Sequence, residues 1–81
     1  MKNKQRKRKT AFVPGRIFKH DGVVLTVGVS EVTINNKPAP NEVYLLIENG
    51  EGIPEALATF TPGKAVEIAE ALLRFARIAK R

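Results

Sequence analysis

The sequence predicts an α+β fold, in which a small antiparallel sheet of three to four strands carries one C-terminal helix packed on one face, in the order β-β-β-(β)-α. Three observations predict it. Short apolar runs alternate with turn residues, Asp21-Gly22 is a strong hairpin signal, and one long amphipathic segment begins at Thr61-Pro62.

A basic segment, MKNKQRKRKT, precedes this domain. It holds six basic and no acidic side chains, whereas residues 11–81 hold eight of each sign, so its charge equals the formal net charge of +6 of the whole chain. The segment has no large apolar side chain after Met1, and its like charges repel. We therefore expect a flexible basic arm over residues 1–10 and a single domain over residues 11–81.

The first two strands are expected at about residues 15–19 and 23–34, on either side of the Asp21-Gly22 turn. Within the second strand the alternation of apolar residues changes phase between Val29 and Val32. Since a strand keeps a period of two, we expect a bulge or kink near Gly28 to Glu31 to restore the inward direction.

A nearly unbroken apolar run indicates a third, central strand at about residues 42–48. Residues 55–60 fit a fourth strand by length, although a helical turn starting near Pro54 remains an alternative. The helix is expected at about residues 62–79, because Thr61 can cap it and proline is favoured at the first helical position.

The helix has a broad apolar face, which Phe75 and Ile78 widen beyond what one sheet usually covers. Either the segment around Phe12 and Val13 folds over that edge, or another protein chain does. The aromatic side chains lie in apolar runs rather than among basic residues, and we interpret all of them as core: Phe12, Phe18, Tyr44, Phe60 and Phe75.

The sequence gives no sign of catalysis, so we expect a protein that is not an enzyme. There is no cysteine, no GxGxxG or Walker A pattern, and no metal-ligand spacing among the acidic residues. The one histidine, His20, has Asp21 beside it but no nucleophile or second acid-base group. We expect no catalytic residue, metal, cofactor or small-molecule substrate, no membrane span, and a cytoplasmic location.

The arm is the strongest functional signal, because closely spaced cations release counterions from a polyphosphate. With about 4 to 6 phosphates contacted, log affinity should fall against log salt with a slope of about −4 to −5. Acidic protein, acidic lipid and a merely solubilising role are the alternatives. The candidate nucleic-acid-binding residues are Lys2, Lys4, Arg6, Lys7, Arg8, Lys9, Arg16, Lys19, Arg74, Arg77 and Arg81.

The helix arginines in that set have a second interpretation, in which they pair with Glu67 and Glu70 and keep the helix in water. Two function hypotheses follow. The first is a small non-enzymatic accessory protein that binds DNA or RNA, with the arm on phosphates and the domain orienting it. The alternative is a protein-interaction module, such as a small inhibitor, an adaptor or a homodimer, that docks through a sheet edge or through candidate interface residues Tyr44, Phe75 and Ile78.

Overall fold

A computed structural model of the protein describes residues 7–81, which form a five-stranded antiparallel sheet and one helix. The strands lie in the order β1-β2-β4-β5, and β3 pairs with the end of β2. The α+β class is confirmed, but the expected three to four strands are too few, because the chain turns back after β2 to add the two-residue β3. The elements are β1 (Arg8–His20), β2 (Val23–Ile34), β3 (Lys37–Pro38), β4 (Glu42–Asn49), β5 (Pro54–Phe60) and α1 (Pro62–Ala79).

Strand β1 is much longer than the sequence suggested, because it begins at Arg8 rather than near residue 15. Strand β2 continues to Ile34 and offers backbone partners over its whole length, so Arg8 pairs with Ile34 and the chain stays extended. The end of the expected arm, residues 8–10, is therefore part of the sheet. Residues 1–6, the rest of that arm, lie outside the described residues.

Two turns depend on residues that tolerate positive φ. Asp21 and Gly22 have φ values of 48° and 76°, and they join β1 to β2 as the sequence predicted. Asn35 and Asn36 have φ values of 53° and 65° and join β2 to β3. Both pairs suit the tight hairpin turns whose twist matches that of the flanking strands.

The irregularity in the first hairpin lies in β1, between Pro14 and Arg16, and not in β2 as expected. At this point Gly15 and Gly28 let the two backbones approach closely. A Cβ atom on Gly28 would lie 2.2 Å from the carbonyl oxygen of Val13, and one on Gly15 would lie 2.9 Å from that of Val27. The extra residue is taken up in β1 because β2 must pair regularly with β4 on its other side.

The apolar phase change in β2 reflects burial on both faces of the sheet. Cross-strand partners share a face, so Val27 and Leu45 lie on the side that α1 covers, which we call the helix face. Thr26, Val32 and Tyr44 lie on the opposite side, the far face, and are buried. There Phe12 packs edge-on against Tyr44 with ring centroids 5.0 Å apart.

Helix α1 begins as predicted, with the backbone N–H of Lys64 donating to the Thr61 hydroxyl at 3.2 Å and with Pro62 in its first turn. It packs on β4 and β5, but only Ala65 and Ile68 are even half-buried. The expected packing on one face of the sheet is thus confined to the first half of the helix.

Candidate nucleic-acid interface

Positive charge is concentrated in the arm and in β1 together. Residues 1–20 hold eight basic and no acidic side chains, whereas residues 21–81 hold six basic and eight acidic ones. Of the first group, four side chains belong to the strand itself. They are Arg8, Lys9, Arg16 and Lys19.

Strand β1 is an edge of the sheet, since it pairs with β2 alone. Its thirteen residues, at about 3.3 Å each, make an edge roughly 40 Å long. Lysine on an edge strand also opposes pairing with another chain, so part of this charge has a structural use. The strand nevertheless presents a long border to solvent, and its own charged side chains are all positive, because it holds two arginines, two lysines and no acidic residue.

Most cations of β1 have no anionic partner. Arg8 donates to the carboxylate of Glu42 at 2.9 Å, with side chains 50% and 25% exposed. Among residues 7–81, Lys9, Arg16 and Lys19 make no ion pair within 4.0 Å. Three unpaired positive charges therefore remain along the strand, in addition to the basic residues that precede it in the sequence.

The point where the arm joins the sheet is fixed by hydrogen bonds. The backbone N–H of Lys7 donates to Oδ1 of Asn35 at 3.0 Å, and the backbone N–H of Asn35 donates to the carbonyl of Lys7 at 2.8 Å. Together with the Arg8 to Glu42 ion pair, these contacts hold the strand against the turn after β2. The arm thus leaves the domain from a defined place.

The cations of β1 do not form one compact patch. Lys19 pairs with Val24 on the far face, whereas Arg16 pairs with Val27 on the helix face. The guanidinium of Arg16 lies over the Phe18 ring, 5.2 Å from its centroid. Charges therefore lie on both sides of a single edge, which suits contacts along an extended backbone better than a pocket for one phosphate.

The basic residues of the helix belong to the other side of the sheet. Helix α1 packs on β4 and β5, whereas β1 is the opposite edge strand. Arg74 lies over the Phe75 ring at 5.8 Å. In the described part of the chain, Arg74, Arg77 and Arg81 make none of the expected ion pairs, and Glu67 instead accepts from Lys64 at 3.2 Å. All three arginines are exposed.

The interpretation of every aromatic residue as core is wrong for three of them. Phe12, Phe18 and Phe75 are 45%, 46% and 61% exposed. The physical reason is that β1 has neighbours on one side only and the second half of α1 has none. Tyr44, a candidate interface residue, is instead 2% exposed and belongs to the core of the domain.

Two surface cavities are apolar. One, of about 150 Å³, lies between α1 and the helix face and includes Val27 and Ile68; the other, of about 290 Å³, lies on the far face beside Phe12 and Leu57. Neither is lined by an acidic or basic side chain. At the hairpin turn, Nε2 of His20 lies 3.2 Å from Oδ2 of Asp21, and both side chains are almost fully exposed.

No group of three or more potential metal ligands occurs among residues 7–81. Within the same range, no helix is long and apolar enough to cross a membrane. Comparisons of the chain with protein-family models, with curated proteins and with solved structures gave no match.

Proposed function

We propose that this protein is a small, non-enzymatic accessory protein that binds nucleic acid through its arm and the edge strand β1. One observation carries the proposal: eight cations and no anion in residues 1–20, three of the strand's four cations being unpaired. The rest of the chain has an excess of two acidic side chains, so the positive surface is a local feature and not the consequence of a basic protein.

The mechanism is the release of counterions from a polyphosphate. Each phosphate neutralised by lysine or arginine frees condensed cations and makes binding more sensitive to salt. Phosphates on one strand of a duplex repeat at about 3.4 Å along the helix axis, and the β1 edge is roughly 40 Å long. An extended edge with charges on both sides can therefore follow a backbone over several nucleotides.

The folded domain sets the direction of approach. Because Lys7 is hydrogen-bonded to Asn35 and Arg8 is paired with Glu42, the arm starts at one end of β1. Arg16 and Lys19 lie towards the other end, so contacts at both ends would align the ligand with the strand. Arm and strand then act as one binding element, with the arm supplying attraction and the strand supplying orientation.

The experiment is a fluorescence-anisotropy titration of the full chain with labelled DNA and RNA oligonucleotides at low salt. A variant with Lys2, Lys4 and Arg6 changed to Gln removes arm charge outside the described residues, and a second with Arg16→Gln and Lys19→Gln removes charge from the strand. Lys64→Gln, at the start of the helix, is the control. We expect both multiple variants to bind at least tenfold more weakly, and the control to bind like the wild type.

Equal binding by all four proteins would contradict the proposal, as would the absence of binding to either nucleic acid at low salt. The absence of binding would favour the alternative, a protein-interaction module. A protein partner that stays bound after nuclease treatment and at high salt would support that alternative, because such binding does not depend on these charges.

A further inference from the structure

The second half of the apolar stripe of α1 is largely exposed, from Leu72, which lines the cavity between α1 and the sheet, to the end of the helix. At 100° per residue, Leu72 lies at its centre, with Phe75, Ala76 and Ala79 within about 60° on either side. Leu72 is 66% exposed and Phe75 is 61% exposed, although these are the positions that a helix normally buries against its own domain. Leu73 and Ile78 flank the stripe and are also exposed.

The sheet has a matching gap on the same side. Helix α1 packs mainly on β4 and β5, with a cavity between it and Val27 of β2, and the outer part of the helix face on β1 and β2 is exposed. Val13, Phe18 and Val29 lie on this half by register, and they are 46%, 46% and 42% exposed. One chain therefore has both an uncovered half-helix and an uncovered half-sheet.

Two segments of the chain that could reach these gaps do not close them. The segment around Phe12 and Val13 was one candidate cover for the helix, but it forms part of β1 and pairs with Ser30 and Val29. Residues 2–6 have only polar side chains and cannot cover an apolar surface. A second copy of the chain can supply the cover instead.

The described residues bury little apolar surface and have an extended shape. Only Val32 and Tyr44 are buried apolar side chains among residues 7–81, and the radius of gyration is 16.1 Å. A compact domain of this length has a radius of gyration of about 11–12 Å. A chain this short needs nearly all its apolar residues in a core, so the missing cover has to be present whenever the chain folds. A second copy of the same chain is always present in the same amount as the first, so it can supply this cover whenever the chain folds.

We propose that the helix face is the interface of a two-fold symmetric homodimer. In such a dimer the projecting half of each helix covers the open half of the other sheet, so one symmetric contact fills both gaps in both copies. The exposed side chains on this face supply on the order of 500–800 Å² of apolar area per chain, close to the ~800 Å² per partner of a standard stable interface.

The charge pattern fits the same occupant. The charged residues Glu67, Glu70, Arg74 and Arg77 lie opposite the apolar stripe and stay in water when the stripe is covered. No charged residue lies within 60° of Leu72 on the helix. On the sheet half of this face the charged side chains of Lys9, Arg16 and Glu31 accompany the apolar ones, with the Arg16 guanidinium over the Phe18 ring. An apolar centre with charged side chains around it is the usual composition of a protein interface.

The test is sedimentation analysis of the full chain without nucleic acid, which keeps it independent of the proposed function. We expect a single species with twice the 8.9 kDa chain mass. Leu72→Gln with Phe75→Gln should raise the dimer dissociation constant roughly 100-fold or more, since truncated interface anchors have effects of this size. The matched control, Glu67→Gln with Glu70→Gln, places the same side chains on the opposite face and should leave the dimer intact.

A second measurement covers the case in which the stripe variant does not fold. The unfolding temperature of the wild type should rise with protein concentration, because folding and association are coupled in a dimer. A wild-type monomer, folded or unfolded, would overturn the proposal. So would a dimer for which both double variants behave alike, or an unfolding temperature that is independent of concentration.

Discussion

Gly28 makes the sharpest stability prediction, because the first hairpin can close only if this residue has no side chain. A Cβ atom there would lie 2.2 Å from the carbonyl oxygen of Val13 and 2.7 Å from Cε2 of Tyr44. The first obstacle is backbone, so in Gly28→Ala β1 and β2 must part by about 1 Å and the packing of Tyr44 must change. Overpacking of this kind costs about 1–3 kcal/mol, and we expect the upper end.

Urea unfolding at one protein concentration measures this cost. For a chain of this size the denaturant slope is about 1 kcal/mol per molar, so the midpoint of Gly28→Ala should fall by about 2–3 M. Gly63→Ala is the control, since a Cβ atom at this position in α1 meets nothing within 4 Å. Alanine there should stabilise the protein by about 0.5 kcal/mol. A midpoint for Gly28→Ala equal to that of the wild type would refute the close approach of the two strands.

Three further substitutions probe local contacts by the same unfolding assay. Thr61→Ala removes the cap on the Lys64 N–H and should cost about 1 kcal/mol; no change would mean that the cap does not stabilise α1. Gly22→Ala meets no atom within 4 Å but has a φ of +76°, so it should cost about 1 kcal/mol by backbone strain alone, and a neutral result would argue against the tight turn. Glu42→Gln breaks an exposed ion pair with Arg8 and should cost less than about 1 kcal/mol, a larger loss indicating that the pair determines how β1 docks.

The sequence predicted the elements whose signals are local. Thr61 and Pro62 set the start of the helix, and Asp21-Gly22 set the first turn, because capping and positive φ depend on a few adjacent residues. The expected bounds of the strands that the structure shows as β2, β4 and β5 were also close to those observed. These features need no knowledge of what the rest of the chain contacts.

The length of β1 and the position of the bulge could not be found in this way. Arg8 and Lys9 have poor strand signals of their own, and they are extended because Ile34 and Thr33 offer them partners across the hairpin. The bulge lies in β1 because β2 is paired on both sides, which is a property of the sheet and not of the sequence around Gly28.

The candidate surfaces were predicted in part. Phe75 and Ile78 were recognised as excess apolar width, but Leu72 was missed, because a residue at the centre of an apolar stripe normally contacts its own sheet. Tyr44 was a candidate interface residue because it belongs to a contiguous apolar strand, whereas it is buried on the far face, where Phe12 packs against it. Burial depends on which strands exist beside a residue, and that follows only from the fold.

The most direct test of the proposed function is the salt dependence of nucleic-acid binding, measured for the wild type and for the Lys2→Gln, Lys4→Gln, Arg6→Gln variant on the same duplex. We predict that log affinity for the wild type falls against log salt with a slope of about −4 to −5 or steeper, and that the variant's slope is shallower by about 2 to 3, one counterion step for each lost charge. Identical slopes for the two proteins, or a slope near zero for the wild type, would contradict phosphate binding by the arm and β1.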